Sequence, residues 1–467
     1  MSTTGTAVPT IGSTGSDPSA PAPSLVMRLH FYAGILVAPF IFLAALTGGL
    51  YALAPTIEGV VYSDLIQTNS AGPSMSVAEQ VAAARGVMPT LVLDAVRPSA
   101  EPGETTRVMF TDPTLGESER RAVFIDPVTA TSVGDSVVYG SSNALPLRTW
   151  ISGFHRHLHL GEPGRIYSEL AASWMWIVAL GGVVLWVRRY RRGGRLLTVD
   201  RSDKGRARTR NWHGGVGIWI AIGLVLLSAT GLTWSKYTGE NITELRAALS
   251  WTTPAIAKSI SGGTPASAGD HAGHDMVPTA SEPDVLSSNV GRIDSVLGTA
   301  RANGIDGKVE VSIPPSTDTA FVVSQTRQPW VLSTSSIAID GATNSIVDTN
   351  SFAEWPLAAK LSAWGIALHM GILFGLANQI ALAVLAGALV TVIVRGYLMW
   401  WKRRPISAAP PARGSLARLP KWQLASIAAA SILLGWYIPL LGISLLAFLA
   451  LDVVLGLRRR TTLVESL

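Results

Sequence analysis

Six of the eight histidines in this chain fall at the ends of long apolar runs. His30 and His213 open two of them. His155, His157 and His159 precede another, and His369 opens a fourth. Neutral imidazole is the commonest side-chain ligand for a metal, and ionisable groups at membrane depth are functional candidates by default. A lone interfacial His serves equally well as a polar anchor. Four in a repeated, depth-matched arrangement ask for a further reason. Haem ligation supplies one, because imidazoles from two helices of a bundle can then face one iron. Position pairs His30 with His213, and the 155–159 cluster with His369, one pair per leaflet. A span of about 20 residues rising about 1.5 Å each sets the two levels roughly 30 Å apart. The choice within the cluster stays open. His155 and His159 are four apart and share a helix face, whereas His157 faces elsewhere.

Other chemistry is thinner. Asp270-His271-Ala272-Gly273-His274-Asp275-Met276 places imidazoles, carboxylates and a thioether in a Gly/Ser/Pro-rich stretch. His271, His274 and Met276 suit copper or another divalent metal, and a polar linker with incidental His explains them equally well. The chain has no Cys, which excludes disulfides, thiolate haem ligation and Cys-held iron–sulfur or zinc sites. No dinucleotide fingerprint, phosphate loop or Gly-x-Ser-x-Gly elbow is present.

The elements that must hold these residues are membrane helices. The 467 residues are 48% hydrophobic and only 15% charged, against roughly 25% charged in soluble domains. The net charge of +6 sits beside apolar runs, as the positive-inside rule requires, and needs no nucleic acid. Residues 1–24 form a polar tail without a core. Spans are expected at 25–54, 148–190, 211–236 and 358–403, the second and fourth with extensions beyond the bilayer, followed by a two-helix hairpin at 422–457. Ten Lys/Arg between Arg188 and Arg210, and six in 402–421, put the 191–210 and 404–421 loops and the 458–467 tail in the cytoplasm, with both termini. The expectation is a multi-pass protein of the cytoplasmic (inner) membrane. Small residues near the His ligands leave room for a planar group: Gly34, Gly48, Gly49, Gly214, Gly215, Gly217, Gly371 and Gly375. Close helix packing uses glycine in the same way.

The outer segments, 55–147 and 237–357, read as two α+β domains. Val77–Arg85 has helical spacing, and strand-like runs follow at Thr90–Val96, Thr106–Thr111 and Arg121–Ile125, then Asp126-Pro127. The order repeats with Ile293–Ala302, Lys308–Ile313, Ala320–Gln325, Ser336–Ile339 and Asp340-Gly341. A period of about 200 residues marks an internal duplication. The fold class is therefore an α-helical integral membrane bundle, four core helices plus a C-terminal two-helix hairpin, with two extracytoplasmic α+β domains.

Over about 25–405 the sequence resembles the PepSY-associated transmembrane helix family. The matching residues are Arg28-Leu29-His30 and Leu46-Thr47-Gly48; His155-Arg156, Leu160-Gly161 and Gly164-Arg165; Trp212-His213-Gly214 and Thr230-Gly231-Leu232; and Ala367-Leu368-His369-Met370-Gly371 with Phe374-Gly375. The family includes ferric-siderophore reductases of the inner membrane. The resemblance implies PepSY-like outer domains and two b-type haems held by His30, His155, His213 and His369. It favours His155 over His159. Arg28, Arg156 and Arg165 are expected near haem propionates by charge and position, with interface anchoring as their other use.

The expected function is electron transfer from a cytoplasmic or quinol donor to an extracytoplasmic acceptor, a ferric siderophore or other metal complex, with lipid around the spans. Two other readings stand beside it. In one, the PepSY modules bind a peptide or partner and the spans only anchor them. In the other, the 270–276 loop handles copper or iron.

Overall fold

The computed structural model describes residues 25–199, 202–261, 283–402 and 420–464. His271, His274 and Met276 lie outside the described residues. The chain enters as α1 (Leu25–Leu36) and α2 (Ala38–Val61), separated at Val37. Pro39 explains the break: proline lacks an N–H and is accommodated in the first turn of a helix, where that donor has no partner anyway. The apolar helix runs past the expected end at residue 54, through Pro55 to Val61.

A short α3 (Ser63–Ile66) leads to α4 (Val77–Val87) and four strands: β1 (Val92–Arg97), β2 (Thr106–Thr111), β3 (Glu119–Ile125) and β4 (Ser132–Tyr139). The chain returns through α5 (Pro146–His157) and α6 (Glu162–Tyr190). It goes back through α7 (Gly205–Leu232), then α8 (Tyr237–Ala248) and α9 (Pro283–Ala302). The second strand set is β5 (Val309–Ser312), β6 (Phe321–Gln325), β7 (Ser336–Ile339) and β8 (Ile346–Asn350). The chain closes with α10 (Leu357–His369), α11 (Gly375–Trp401), α12 (Lys421–Tyr437) and α13 (Pro439–Val464).

Among the described residues, four helices are long and apolar enough to cross a membrane: α2, α6, α7 and α11. Helices α12 and α13 follow one another across Ile438, and their described apolar stretches, Ala425–Tyr437 and Pro439–Leu451, are shorter. Helices apolar on every side belong in a core or in lipid. Here Ile222 on α7 is 84% exposed, an outward apolar face that only lipid suits. The bundle core joins Ile41 and Ala45 of α2, Ala171 and Trp174 of α6, Ile220 and Leu224 of α7, and Leu389 and Ile393 of α11. Gly435 and Gly442 bring the hairpin helices into backbone contact, and the Trp174 indole donates to Ser444 Oγ at 2.8 Å, fixing α13 on α6.

The β region corrects the expectation of two separate domains. Its strands form one eight-stranded antiparallel sheet, ordered β4-β3-β2-β1-β5-β6-β7-β8. The halves meet where β1 pairs β5, Ala95 opposite Ser312 and Val96 opposite Val311. One step further along the same register, the Arg97 guanidinium reaches Glu310 at 2.6 Å. Helices α4 and α9 cover one face and share one core, Val81 and Ala84 with Ile293, Val296, Val108 and Val311. The Asp294 carboxylate of α9 accepts from Val77 N and Ala78 N at 2.8 and 3.0 Å. It thereby caps α4 of the other half, where the helix dipole favours negative charge. Fusion removes an exposed sheet edge from each half, and such edges invite pairing with other chains.

Two acidic groups on the spans have structural uses. Glu58 accepts from Leu145 N at 2.7 Å, at the start of α5. Glu169 accepts from Tyr237 N, Thr238 N and Thr238 Oγ1 at 2.7–3.0 Å, at the start of α8. The sheet is tied to the bundle as well. Trp330 N donates to Leu373 O at 2.8 Å, and the Trp364 indole donates to Leu332 O at 2.6 Å.

Candidate haem-binding sites

The four span-end histidines come together in two pairs. His30 of α1 and His213 of α7 have ring centroids 6.2 Å apart. His155 of α5 and His369 of α10 have centroids 6.5 Å apart. A metal–imidazole bond is about 2 Å and a ring centre lies about 1.1 Å behind its nitrogen, so imidazoles on opposite sides of one metal stand about 6.2 Å apart. Both pairs have that spacing.

Each ring is also held by its other nitrogen. His30 Nδ1 lies 2.9 Å from Val178 O, and His213 Nδ1 lies 2.8 Å from Val392 O. A carbonyl only accepts, so both Nδ1 atoms carry the proton and each Nε2 keeps its lone pair. His155 Nδ1 lies 3.0 Å from Thr47 Oγ1, and His369 Nδ1 lies 2.7 Å from Thr230 Oγ1. Both hydroxyls already donate backwards along their helices, Thr47 to Leu43 O at 2.9 Å and Thr230 to Leu226 O at 2.8 Å. They therefore accept from the imidazoles, and Nε2 is again the free nitrogen. Metal-ligating histidines are oriented by such a bond from the second nitrogen.

Glycine gives two of the rings their room. A Cβ at Gly48 would stand 2.9 Å from His155 Cε1, and one at Gly182 would stand 3.1 Å from His30 Cε1. A Cβ added at Gly231 or Gly396 would meet His369 Cε1 or His213 Cε1 at 3.6 Å, an ordinary van der Waals contact. The duplication reappears here. His30, Thr47 and Gly48 recur at one constant offset as His213, Thr230 and Gly231, and His155, Val178 and Gly182 recur at a second as His369, Val392 and Gly396.

The His155–His369 pair opens into a cavity of about 660 Å³, inside the range of roughly 300–1,000 Å³ typical of ligand sites. Gly48, Tyr51, Ala172, Thr230, Trp234 and Leu389 are among its walls. Tyr51 stacks on His155 with centroids 6.1 Å apart, and Trp234 meets His369 edge-on at 5.5 Å.

Sequence reasoning placed several residues differently. Helix α5 ends at His157, and Leu158, His159 and Gly161 all have positive φ. His159 is therefore not on the α5 face with His155. It stacks on Trp150 at 5.1 Å, and its Nε2 donates to Trp150 O at 3.0 Å. At Gly164 the His157 carbonyl lies 1.8 Å from where a Cβ would stand, so only glycine closes this turn. Of the glycines expected near a planar group, Gly48 meets a His ring. Gly214 is covered by Trp186 and Gly215 by Val199, while Gly371 and Gly375 form the α10–α11 turn with positive φ. Gly181, Gly182, Gly231 and Gly396 were missed as His neighbours. Arg156 and Arg165 line the cavity, and Arg28 is buried on α1.

Among the described residues, no group of three or more His, Asp or Glu side chains is placed to hold a metal ion. Two imidazoles per site suit a metal whose remaining donors come from a macrocycle. The free Nε2 atoms, the ring spacing and the glycine clearances fit haem.

The sequence model of the family described as PepSY-associated TM region matches residues 27–403. The chain belongs to this family. The match spans α1 to α11, so it takes in both histidine pairs and the whole sheet of this PepSY-associated membrane protein and leaves out the hairpin. No curated protein matches the sequence.

If Thr47 and Thr230 orient ligands, Thr47→Val or Thr230→Val weakens haem retention by about 10–100-fold at that level. Haem content measured through serial dilution checks this. Retention equal to the parent would remove the hydroxyls from the site.

Proposed function

We propose that this multi-pass membrane protein carries electrons across the bilayer through two b-type haems to a ferric chelate bound on the sheet side. The observation that carries the reading is the pair of His–His contacts, each at the spacing of two imidazoles on one metal and each with Nε2 unclaimed. His30 and His213 hold one haem near the basic loop between α6 and α7. His155 and His369 hold the other under the sheet. Bound haem supplies one-electron redox chemistry, and the protein supplies axial ligands, burial and docking.

The ten Lys/Arg between Arg188 and Arg210 support a cytoplasmic basic loop and an extracytoplasmic sheet. The cytoplasmic membrane is the location consistent with that arrangement. The chain's own residues do the positioning. The carbonyls of Val178 and Val392 and the hydroxyls of Thr47 and Thr230 hold each imidazole in one tautomer. The cavity beside His155 and His369 admits an acceptor from the sheet side. Ferric iron in a siderophore is the favoured acceptor, because reduction weakens its hold by hard oxygen ligands.

One experiment tests acceptor and sidedness together. Sealed right-side-out vesicles are reduced with duroquinol, a membrane-permeant quinol, and an impermeant ferric chelate is added outside. Reoxidation of the haem α-band with production of Fe(II) is expected. No reoxidation contradicts the acceptor reading, and reoxidation only in inside-out vesicles contradicts the orientation.

A further inference from the structure

The cavity above His155 and His369 changes character towards the sheet. Among the described residues, Arg148, Arg156, Arg165, Lys236, Arg246 and Arg327 line it, with Glu169 as the one lining carboxylate. That carboxylate is spent on the start of α8. Arg148 is 6% exposed, and its Nε and Nη2 are buried without a hydrogen-bond partner. Only its Nη1 meets Glu58, at 3.5 Å. His157 Nδ1, in the same wall, is also buried without a partner. Lys236 pairs with Glu162, and Arg156 donates to the Tyr139 hydroxyl at 2.8 Å. Arg165 has no carboxylate within ion-pair distance among the described residues. The far wall carries hydroxyls from sheet loops, Ser118, Ser141 and Ser142.

Buried donors left without partners are costly, and clustered like charge in a low-dielectric cleft focuses field on whatever enters. We infer that this vestibule is a carboxylate-binding site that selects anionic over cationic ferric chelates. The inference rests on the proposed function and deepens it by naming the substrate class. Two sources can supply the carboxylates, the propionates of a haem at His155 and His369 and a polycarboxylate chelate from outside. The Arg148 guanidinium and His157 Nδ1 donate to carboxylate oxygens from the α5 wall. Arg165 supplies charge from α6.

The test uses the full-length, haem-loaded protein in detergent and redox-inert gallium complexes, so no electron transfer enters the readout. Equilibrium binding of anionic Ga(III)–citrate is compared with cationic Ga(III)–desferrioxamine B, and haem is quantified alongside. The parent is expected to bind the citrate complex at least about tenfold more tightly, with affinity falling as salt rises. The variant Arg165→Gln should lose about tenfold in citrate binding while keeping its haem, and Arg165→Lys should recover most of it. Variants that instead shed haem, with no citrate binding in the parent, assign the cations to the propionates and overturn the chelate selection. Equal binding of both gallium complexes, or a Gln variant unchanged in both readouts, overturns the carboxylate site itself. A parent that purifies without haem would contradict the proposed function, and the gallium assay would still read the vestibule.

Discussion

His369→Ala is expected to lower the haem b recovered from this protein from about two per chain to about one, since bis-His coordination fails when either imidazole is lost. His155→Ala should do the same, because both rings serve one level. His30→Ala and His213→Ala should remove the other haem. The combinations are more telling than the single changes. Residues acting on one site are non-additive, so His155→Ala/His369→Ala should lose no more haem than either alone. His155→Ala/His213→Ala spans both levels and should leave almost none. Pyridine haemochrome per mole of protein checks each case. A double variant within one pair that loses twice the haem of its singles would break the pairing of 6.2 and 6.5 Å rings.

Glu310→Gln should destabilise the sheet by about 3 kcal/mol. Glu310 sits at the seam between the duplicated halves. It takes Arg97 at 2.6 Å and Arg120 at 3.2 Å, and Arg120 also reaches Asp94 at 2.7 Å. Burial raises the Glu310 pKa, but the guanidiniums of Arg97 and Arg120 outweigh it and hold the group at about 2. Burial likewise lowers Arg107, a neighbour in the same region, to about 10. Removing the carboxylate would leave the largely buried Arg97 and Arg120 guanidiniums without the partner they share, the costly way to break a buried pair. Because the folded pKa lies below the ordinary carboxylate value, the contribution is complete above about pH 5 and is lost as pH falls towards 2. Thermal unfolding of the sheet should therefore show a parent that loses stability across that acidic window and a Gln variant that starts lower and changes less. Equal midpoints at pH 7 would mean that the seam is held by strand pairing and the shared α4–α9 core alone.

Much of this arrangement is legible in the residues before any coordinates. Apolar length marks α2, α6, α7 and α11, because a helix in lipid must be apolar on all sides. Histidines at matching depths in a repeated pattern point to pairs. The strands β2 and β7 fall at the expected residues, where Thr106–Thr111 and Ser336–Ile339 carry apolar runs. β4 and β8 are hidden because both end the sheet order and are mostly exposed or half-buried, with no strict alternation of buried and exposed residues. The fusion of β1 to β5 is hidden for another reason. Strands some two hundred residues apart pair through backbone groups that every residue carries. The end of α5 is also non-local in cause, since the turn through Leu158 and His159 closes on Gly164 and a stack on Trp150. Thr47-Gly48 and Thr230-Gly231 are visible as a repeated dipeptide. Their division of labour, hydroxyl to Nδ1 and bare Cα to the ring, needs the partner helix in place.

The most direct test is the absorption spectrum of the detergent-purified full chain, oxidised and dithionite-reduced, with haem counted by pyridine haemochrome. The account predicts a sharp reduced α-band of low-spin b-type haem at close to two haems per chain. Protein expressed with ample haem that carries none would contradict it, and would turn attention to the sheet as a partner-binding module.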